Sequence, residues 1–524
     1  TFNSKPVTII LDHNTGDRAG DRDLLDAVCQ QVEKQNQQCL AILARWGEAS
    51  MQAIKNIADV IKPARASILL SLQDFAIGGG LYRKKVTELL TQLNIPVIKG
   101  IRLTDRTQSQ WQLSTDGIPW DGVHYRVAMP ELQGISQPMI LATAQTAYID
   151  KLTGLKLAPS KPVIEQVKQV TSRMNNWVKL QQQNNNQKHV AIIYYNHPPG
   201  RHNIGADNLD VPASLFHVLH QLKQAGYNTG QLPENEEALL DLIQQQGINL
   251  PNDQAAIKNM AAKVINIKPK EYQSWFNSLP LRIQNEVTYG PLGYLKTQLF
   301  KAVETNEHDL ATMLLNHVGN DIEHLLEGVD HPARARAVDL FHQFKAQANA
   351  LLQNKGKAKE TRKSIEQLMR ALHATGIEGL RGWGDAPGNV MTHKGKMLVP
   401  GIQFGNIFIG PQPPRGWEVN EELLHANLAF PPTHQYLGFY YWIKHHFKAD
   451  ALVHLGRHST YEFLPQRRVG LTQDDYPSLI ASDIPGIYPY IVDVVGEGIQ
   501  AKRRGLAVMI DHLTPPLNAT PLYD

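Results

Sequence analysis

The stretch VTIILDHNTGDRAGDRDLLDAVCQQVEKQNQQCLAILA, residues 7–44, decides the fold class. VTIILDH is a short run of apolar and β-branched residues and reads as a buried strand. RDLLDAVCQQVEKQ places apolar residues at three-to-four spacing and reads as an amphipathic helix, and QCLAILA is again strand-like. Strand, helix and strand in that order make a parallel pair joined by a right-handed crossover. The pattern continues outward through MQAIKNIADVIK (helix), ASILLSL (strand), RKKVTELLTQL (helix) and IPVIKGI (strand). It predicts an α/β protein with open parallel sheets of flavodoxin-like or Rossmann-like layout. No G-x-G-x-x-G follows the first strand, so a dinucleotide site is unsupported there.

Five regions follow from the same patterning. Residues 1–150 form the first α/β domain. Residues 151–187 are a helix and a polar linker ending in KLQQQNNNQK (Lys179 to Lys188). Residues 188–293 open a second α/β domain with the strand HVAIIYYNH and the loop PPGRHNIGADNLDVPASL. Ligands of open parallel sheets bind beyond the carboxyl ends of strands, in loops of this kind. Residues 294–380 are almost wholly helical and read as an insertion; their histidines, His317, His324, His342 and His373, read as surface or groove residues. Residues 381–524 are rich in loops and strands.

Composition narrows the function classes. The chain has 524 residues, 42% apolar and 19% charged, with a mean hydropathy of -0.32. That is an ordinary globular mixture, long enough for several cores. A net charge of +3 gives no electrostatic case for nucleic acid. No apolar run approaches the ~18 residues that span a bilayer. The two cysteines, Cys29 and Cys39, make neither a zinc knuckle nor a disulfide framework, so a reducing, cytoplasmic setting is the default. The chain starts at Thr1 without an initiator methionine, which marks it as processed or a fragment and leaves export or membrane association open. No G-x-x-x-x-G-K-[ST] occurs, so this chain has no P-loop for ATP phosphates.

One short stretch concentrates the chemistry: ALVHLGRHSTYEFLPQRR, Ala451 to Arg468, with His454, His458 and Glu462 at even spacing. On one unbroken helix His454 and Glu462 would lie ~12 Å apart, too far to share an ion. ALVHL reads instead as a strand, Gly456 as a turn and the remainder as a helix, a corner that brings the three groups together. The same residues admit a plainer reading, since Ser459-x-x-Glu462 matches a capping box in which the glutamate serves a backbone N–H.

GNIFIGPQP, HLGRHSTYEFLP, YPYIVDVVGEGIQAKRR and IDHLTPP, with YRVAMPELQG, YYNHPPGRHNIGADNLDVPASL and SWFNSLP upstream in the same order, resemble the signatures of the large subunit of class I tetrapyrrole metal chelatases. These are the cobaltochelatase large subunit and the H subunit of magnesium chelatase, and the C-terminal signature leans to the cobalt branch. The resemblance implies a tetrapyrrole-binding catalytic subunit that inserts a divalent metal, Co²⁺ first and Mg²⁺ or Fe²⁺ as alternatives. ATP hydrolysis would lie in separate AAA+ partner subunits. Removal of iron from haem and non-catalytic tetrapyrrole carriage remain open readings.

The resemblance carries over His454, His458 and Glu462 as catalytic and metal-handling residues. Metal insertion needs a base for the pyrrole N–H protons, imidazole or carboxylate groups for a metal shedding water, and cations for the ring's carboxylates. Candidate substrate contacts are His197, His202 and Asn203 in the first long loop, Asn406 and Gln412 around the GNIFIGPQP strand, and Tyr488, Glu497, Lys502, Arg503 and Arg504 near the end. Arg415, Trp383 and Tyr490 are further pocket-lining candidates. Lys502, Arg503 and Arg504 read equally as a basic last turn facing the helix dipole. The chain departs from the family at Pro465-Gln466-Arg467, where Pro-Gly-Lys is usual, in its helical stretch, and in being much shorter than typical members.

Overall fold

The computed structural model describes residues 5–13, 21–61, 66–196, 200–202, 204–205, 209–251, 253–353, 358–377, 379–415, 430–456, 461–481, 483–491 and 495–512. The chain forms two compact units, Thr1–Gln183 with Arg467–Pro485, and Asn184–Gln466 with Gly486–Asp524.

In the first unit, strands β1 (Val7–His13), β2 (Gln38–Ala44), β3 (Ser67–Ser71), β4 (Val97–Thr107) and β5 (Ser136–Ala144) lie parallel in the order β2-β1-β3-β4-β5. A short antiparallel strand, β6 (Ser160–Pro162), closes the edge beside β5. Helices α1 (Asp21–Lys34), α2 (Glu48–Val60), α3 (Gly79–Leu93) and α4 (Ile164–Gln182) flank it. The strand order is that of flavodoxin-like sheets. β1 and β3 are almost wholly buried, as a central parallel strand covered on both faces must be. Ile9, Leu11, Ile54, Ile57, Leu69 and Val86 build the core on one face.

The returning segment Arg467–Pro485 is fastened to this unit by buried polar contacts. Trp111 Nε1 donates to Gly470 O at 2.8 Å, Gln166 Nε2 to Leu471 O at 2.8 Å and Arg173 Nη1 to Ile484 O at 2.9 Å. Cys29 on α1 and Cys39 on β2 are joined in a disulfide. Two cysteines make no framework, yet they do pair. Because disulfides persist in oxidising surroundings, the pair removes the basis for a reducing compartment as the default.

The second unit is built on β7 (Val190–Tyr194), β8 (Ile402–Phe404), β9 (Ile407–Pro411), β10 (Ala451–Leu455), β11 (Gly486–Ile491) and β12 (Ala507–His512), in the order β8-β9-β7-β10-β11-β12. All neighbours are parallel except the β8–β9 hairpin. Helices α5 (Val211–Gln224) and α6 (Glu236–Gln246) cover one face, where Leu215, Leu219, Leu239 and Ile243 pack on Ile192 and Tyr194. The helical region expected at 294–380 is present as α7 (Leu281–Thr305), α8 (His308–Gly328), α9 (Arg334–Gln353) and α10 (Ala358–His373), each packed against the next. α7 breaks at Gly290, whose φ of 71° precedes Pro291. His317, His324 and His342 are exposed there. Further along come α11 (His434–Trp442) and α12 (Val495–Arg503). The fold is thus the expected α/β arrangement of open, mainly parallel sheets with a helical region. Among the described residues no helix is long and apolar enough to cross a membrane.

Candidate functional site

The carboxyl ends of parallel strands are where an open sheet presents loops and side chains to a ligand. In the first unit, charged groups at that edge neutralise one another: Arg102 grips Asp12 through two nitrogens at 2.8 and 2.6 Å, and Lys99 Nζ meets Asp74 at 3.2 Å. The second unit's edge differs. β7, β9, β10 and β11 deliver Asn196, Gln412, His454 and Tyr488 there, all buried.

Gln412 follows β9 and is held on every side. Its N–H donates to Tyr194 O, its carbonyl accepts from Asn249 Nδ2, its Nε2 donates to Tyr436 Oη and its Oε1 accepts from Tyr440 Oη, each at 2.8 Å. Asn249 is anchored in turn by Asn196 Oδ1, which accepts from its N–H at 2.9 Å. Both tyrosines stand on α11, whose faces are nearly all buried. Gly438 permits that helix to lie close to the strand Lys396–Val399, since a Cβ there would come within 2.0 Å of Met397 Sδ.

This network fixes His454. Tyr440 is fully buried, and burial raises its hydroxyl pKa well above its ordinary value, so it stays protonated. Its proton goes to Gln412, and towards His454 Nε2, 3.3 Å away, the phenol oxygen therefore accepts. Nε2 then carries the imidazole hydrogen and Nδ1 is left with its lone pair. Burial drives the His454 pKa down to about 3, so the ring is neutral at physiological pH. It stacks on Tyr461 with ring centres 4.7 Å apart and meets Tyr488 edge-on at 5.9 Å. A buried neutral imidazole with a free acceptor nitrogen is suited to ligating a metal or taking a proton.

Glu462 belongs to the same cluster. It is 1% exposed, and its Oε1 accepts from Tyr488 Oη at 3.4 Å. The strand of the expected corner is present as β10, residues 457–460 lie outside the described residues, and the chain that follows forms a 3-10 turn, Tyr461–Phe463, rather than a helix. Arg504 explains the difference: its guanidinium donates to the carbonyls of Glu462, Leu464 and Pro465. Tertiary donors thus take the carbonyls that a helix would use internally. Arg504 acts as a buried strap on this turn, not as the free carboxylate grip expected of it.

The other expected residues divide clearly. Tyr488 and Gln412 join His454 and Glu462. His458, His197 and Asn203 lie outside the described residues, as do Ser459 and the side chain of Tyr490. His202 is exposed. Asn406 is at the wrong end of β9: its N–H donates to Asn228 O at 2.8 Å and its Nδ2 to Asn186 O at 3.0 Å, securing the hairpin turn at the strand's start. Lys502 and Arg503 occupy the last turn of α12, with Glu497 in its first, the charge order that complements a helix dipole. Trp383 Nε1 donates to Pro431 O at 2.8 Å and serves packing. Among the described residues no three His, Cys, Asp or Glu side chains form a metal cage. The sequence reading missed Tyr436, Tyr440 and Tyr461, because an aromatic run on a helix reads as core. The available signal was the pair His434 and Gln435, two polar residues opening an otherwise aromatic and apolar helix.

Arg415 closes the site. It is 7% exposed, and among the described residues none of its guanidinium nitrogens has a hydrogen-bond partner. Burial, assisted by Arg504 and opposed by Tyr436 and Glu462, brings its pKa down to about 10, leaving it charged at neutral pH.

The buried histidines predict an acid response. His434 shares the pattern: Tyr272 Oη donates to its Nδ1 at 3.0 Å, its Nε2 donates to Gly384 O at 2.9 Å, and burial lowers its pKa to about 4. Both folded values lie below the ordinary 6.5, so the unfolded chain binds more protons and stability falls as pH drops below about 6.5. Between about pH 6 and pH 4.5 the pair is expected to cost the second unit ~3–4 kcal/mol. Urea midpoints measured across that range check it, and His454→Gln should remove about half of the slope.

A family model described as CobN/Magnesium Chelatase matches residues 2–293 and 292–524. The magnesium-chelatase subunit ChlH of rice (Oryza sativa subsp. indica) is 27% identical over 510 residues, 96% of this chain and 29% of that protein. The aerobic cobaltochelatase subunit CobN of Pseudomonas aeruginosa is 25% identical over 522 residues, 99% of this chain and 34% of that protein. The solved catalytic subunit of cobaltochelatase from Mycobacterium tuberculosis superposes with a TM-score of 0.66 at 22% identity, over 98% of this chain and 35% of that one. The chain therefore spans about a third of the length of these relatives.

Proposed function

The chain belongs to the CobN/magnesium chelatase family, and from that premise we propose that its second unit binds a tetrapyrrole and carries the site where a divalent metal, cobalt foremost, is inserted into it. The observation that carries this reading is the pairing of a neutral, buried His454 with a buried Glu462 across Tyr488. Insertion needs a ligand that receives a metal from water and a base that removes two pyrrole protons. His454 Nδ1 offers the first. Glu462, with His458 beside it in sequence, offers the second. The aromatic wall of Tyr440, Tyr461 and Tyr488 keeps bulk water from both. With no P-loop in the chain, the reading assigns ATP hydrolysis to separate AAA+ subunits.

Absorbance titration tests this. Purified protein is mixed with metal-free corrin precursor, protoporphyrin and haem, followed by Co²⁺ or Mg²⁺, with and without chelatase ATPase subunits. A metal-dependent spectral change that needs the partners is expected. Loss of the haem Soret band without them would favour iron removal, and tight binding without turnover would favour a carrier.

A further inference from the structure

We propose that Arg415 is the receptor for a carboxylate substituent of the ligand, held at the inner end of the site. The proposal rests on the tetrapyrrole reading only for what bears that carboxylate. A guanidinium presents five N–H donors in a planar fork, and buried ones are almost always paired with a carboxylate or with carbonyls. Among the described residues three other arginines follow that rule. Arg467 holds both oxygens of Asp475, Arg102 both oxygens of Asp12, and Arg504 three backbone carbonyls. Arg415 is as deeply buried, and its Nε, Nη1 and Nη2 have no hydrogen-bond partner among the described residues.

A second unpaired group lies close by in the fold. The backbone after Gln412 leads directly to Arg415, while Gln412 Nε2 bonds Tyr436, the residue after Gln435. Gln435 is fully buried, and among the described residues its amide nitrogen and oxygen are both without hydrogen-bond partners. Leaving an unpaired buried cation and an unpaired buried amide costs free energy in the ligand-free protein. An anion accepting from the Arg415 guanidinium would recover it. A carboxylate matches the fork geometrically, accepting two parallel N–H bonds. Lys502 and Arg503, the residues first expected to grip ring carboxylates, end a helix whose dipole they already complement.

The test compares deuteroporphyrin IX with its dimethyl ester, which keeps the ring and removes the charge. Binding is measured by fluorescence quenching to the wild-type chain, Arg415→Met and Arg415→Lys. The wild type is expected to prefer the acid about 10–100-fold. Arg415→Met should bind both forms at the ester's affinity, and Arg415→Lys should retain part of the preference. Ligand-free Arg415→Met should melt no lower than wild type, because it loses an unpaired charge rather than a bond. If that variant does not fold, Arg415→Lys alone carries the comparison. Equal binding of acid and ester by the wild type, or an undiminished preference in Arg415→Met, overturns the proposal. Sodium propionate separates anion binding from tetrapyrrole binding. If no porphyrin binds but propionate raises the melting temperature of wild type and not of Arg415→Met, the anion receptor stands and the tetrapyrrole reading falls. Equal stabilisation of both by propionate overturns the receptor as well.

Discussion

Glu462→Gln is expected to slow metal insertion by about 10²–10⁴-fold, the range that a positioned general base contributes. The substitution keeps the side chain's size, and its oxygen still accepts from Tyr488 Oη, now 3.4 Å away. Packing against Tyr461 and Tyr488 is preserved, so porphyrin affinity should stay within about threefold, well under 1.4 kcal/mol. Loss therefore falls on the chemical step. Stopped-flow absorbance in the presence of metal and ATPase subunits separates the two quantities. Unchanged turnover in Glu462→Gln would remove the carboxylate from the mechanism. A large loss of porphyrin affinity would recast it as a structural group.

Asp475→Ala carries the largest expected effect on stability, a loss of ~3–5 kcal/mol in the first unit. Asp475 is fully buried, accepts from Arg467 Nη1 at 2.8 and 3.0 Å, and takes the N–H of Thr472 at 2.8 Å. Removing it takes the paired carboxylate away from the buried Arg467 charge, whose contacts to the carbonyls of Trp111 and Gln112 carry no compensating charge. Replacing both partners, Arg467→Met with Asp475→Leu, is expected to cost far less, because no charge is then stranded. Urea midpoints of the two variants test the pair directly, and equal losses would contradict it. The result also explains the departure at Pro465-Gln466-Arg467. Gln466, at φ 88°, donates to the buried Glu286 at 2.9 Å, and Arg467 begins the segment that returns to the first unit. Both side chains have structural partners of their own.

The parallel sheets were legible because buried strands leave uninterrupted apolar runs and the helices between them keep their period. His454, Glu462, Gln412 and Tyr488 were legible as chemistry. Their convergence was not, since it depends on β9 and β10 flanking β7, an order that local pattern does not contain. Asn406 shows the cost of that gap. It lies six positions before Gln412, but the five residues between them, Ile407–Pro411, are strand β9, and a strand rises ~3.3 Å per residue, so the two stand at opposite edges. Arg504 shows another: three adjacent basic residues looked equivalent, yet the helix ends at Arg503 and the next side chain turns inward. Where the described chain resumes at Tyr461, a 3-10 turn stands in place of the expected helix, the carbonyls of Glu462, Leu464 and Pro465 being claimed by that arginine.

The central claim is that metal and macrocycle meet beside His454. Anomalous diffraction at the cobalt edge, from crystals of the chain soaked with Co²⁺ and deuteroporphyrin IX, tests it most directly. A cobalt peak is expected about 2 Å from His454 Nδ1, as for other imidazole-bound divalent metals, absent from His454→Ala crystals that still hold the porphyrin. A cobalt peak on bound porphyrin away from the carboxyl edge of β10, unaffected by His454→Ala, would contradict it.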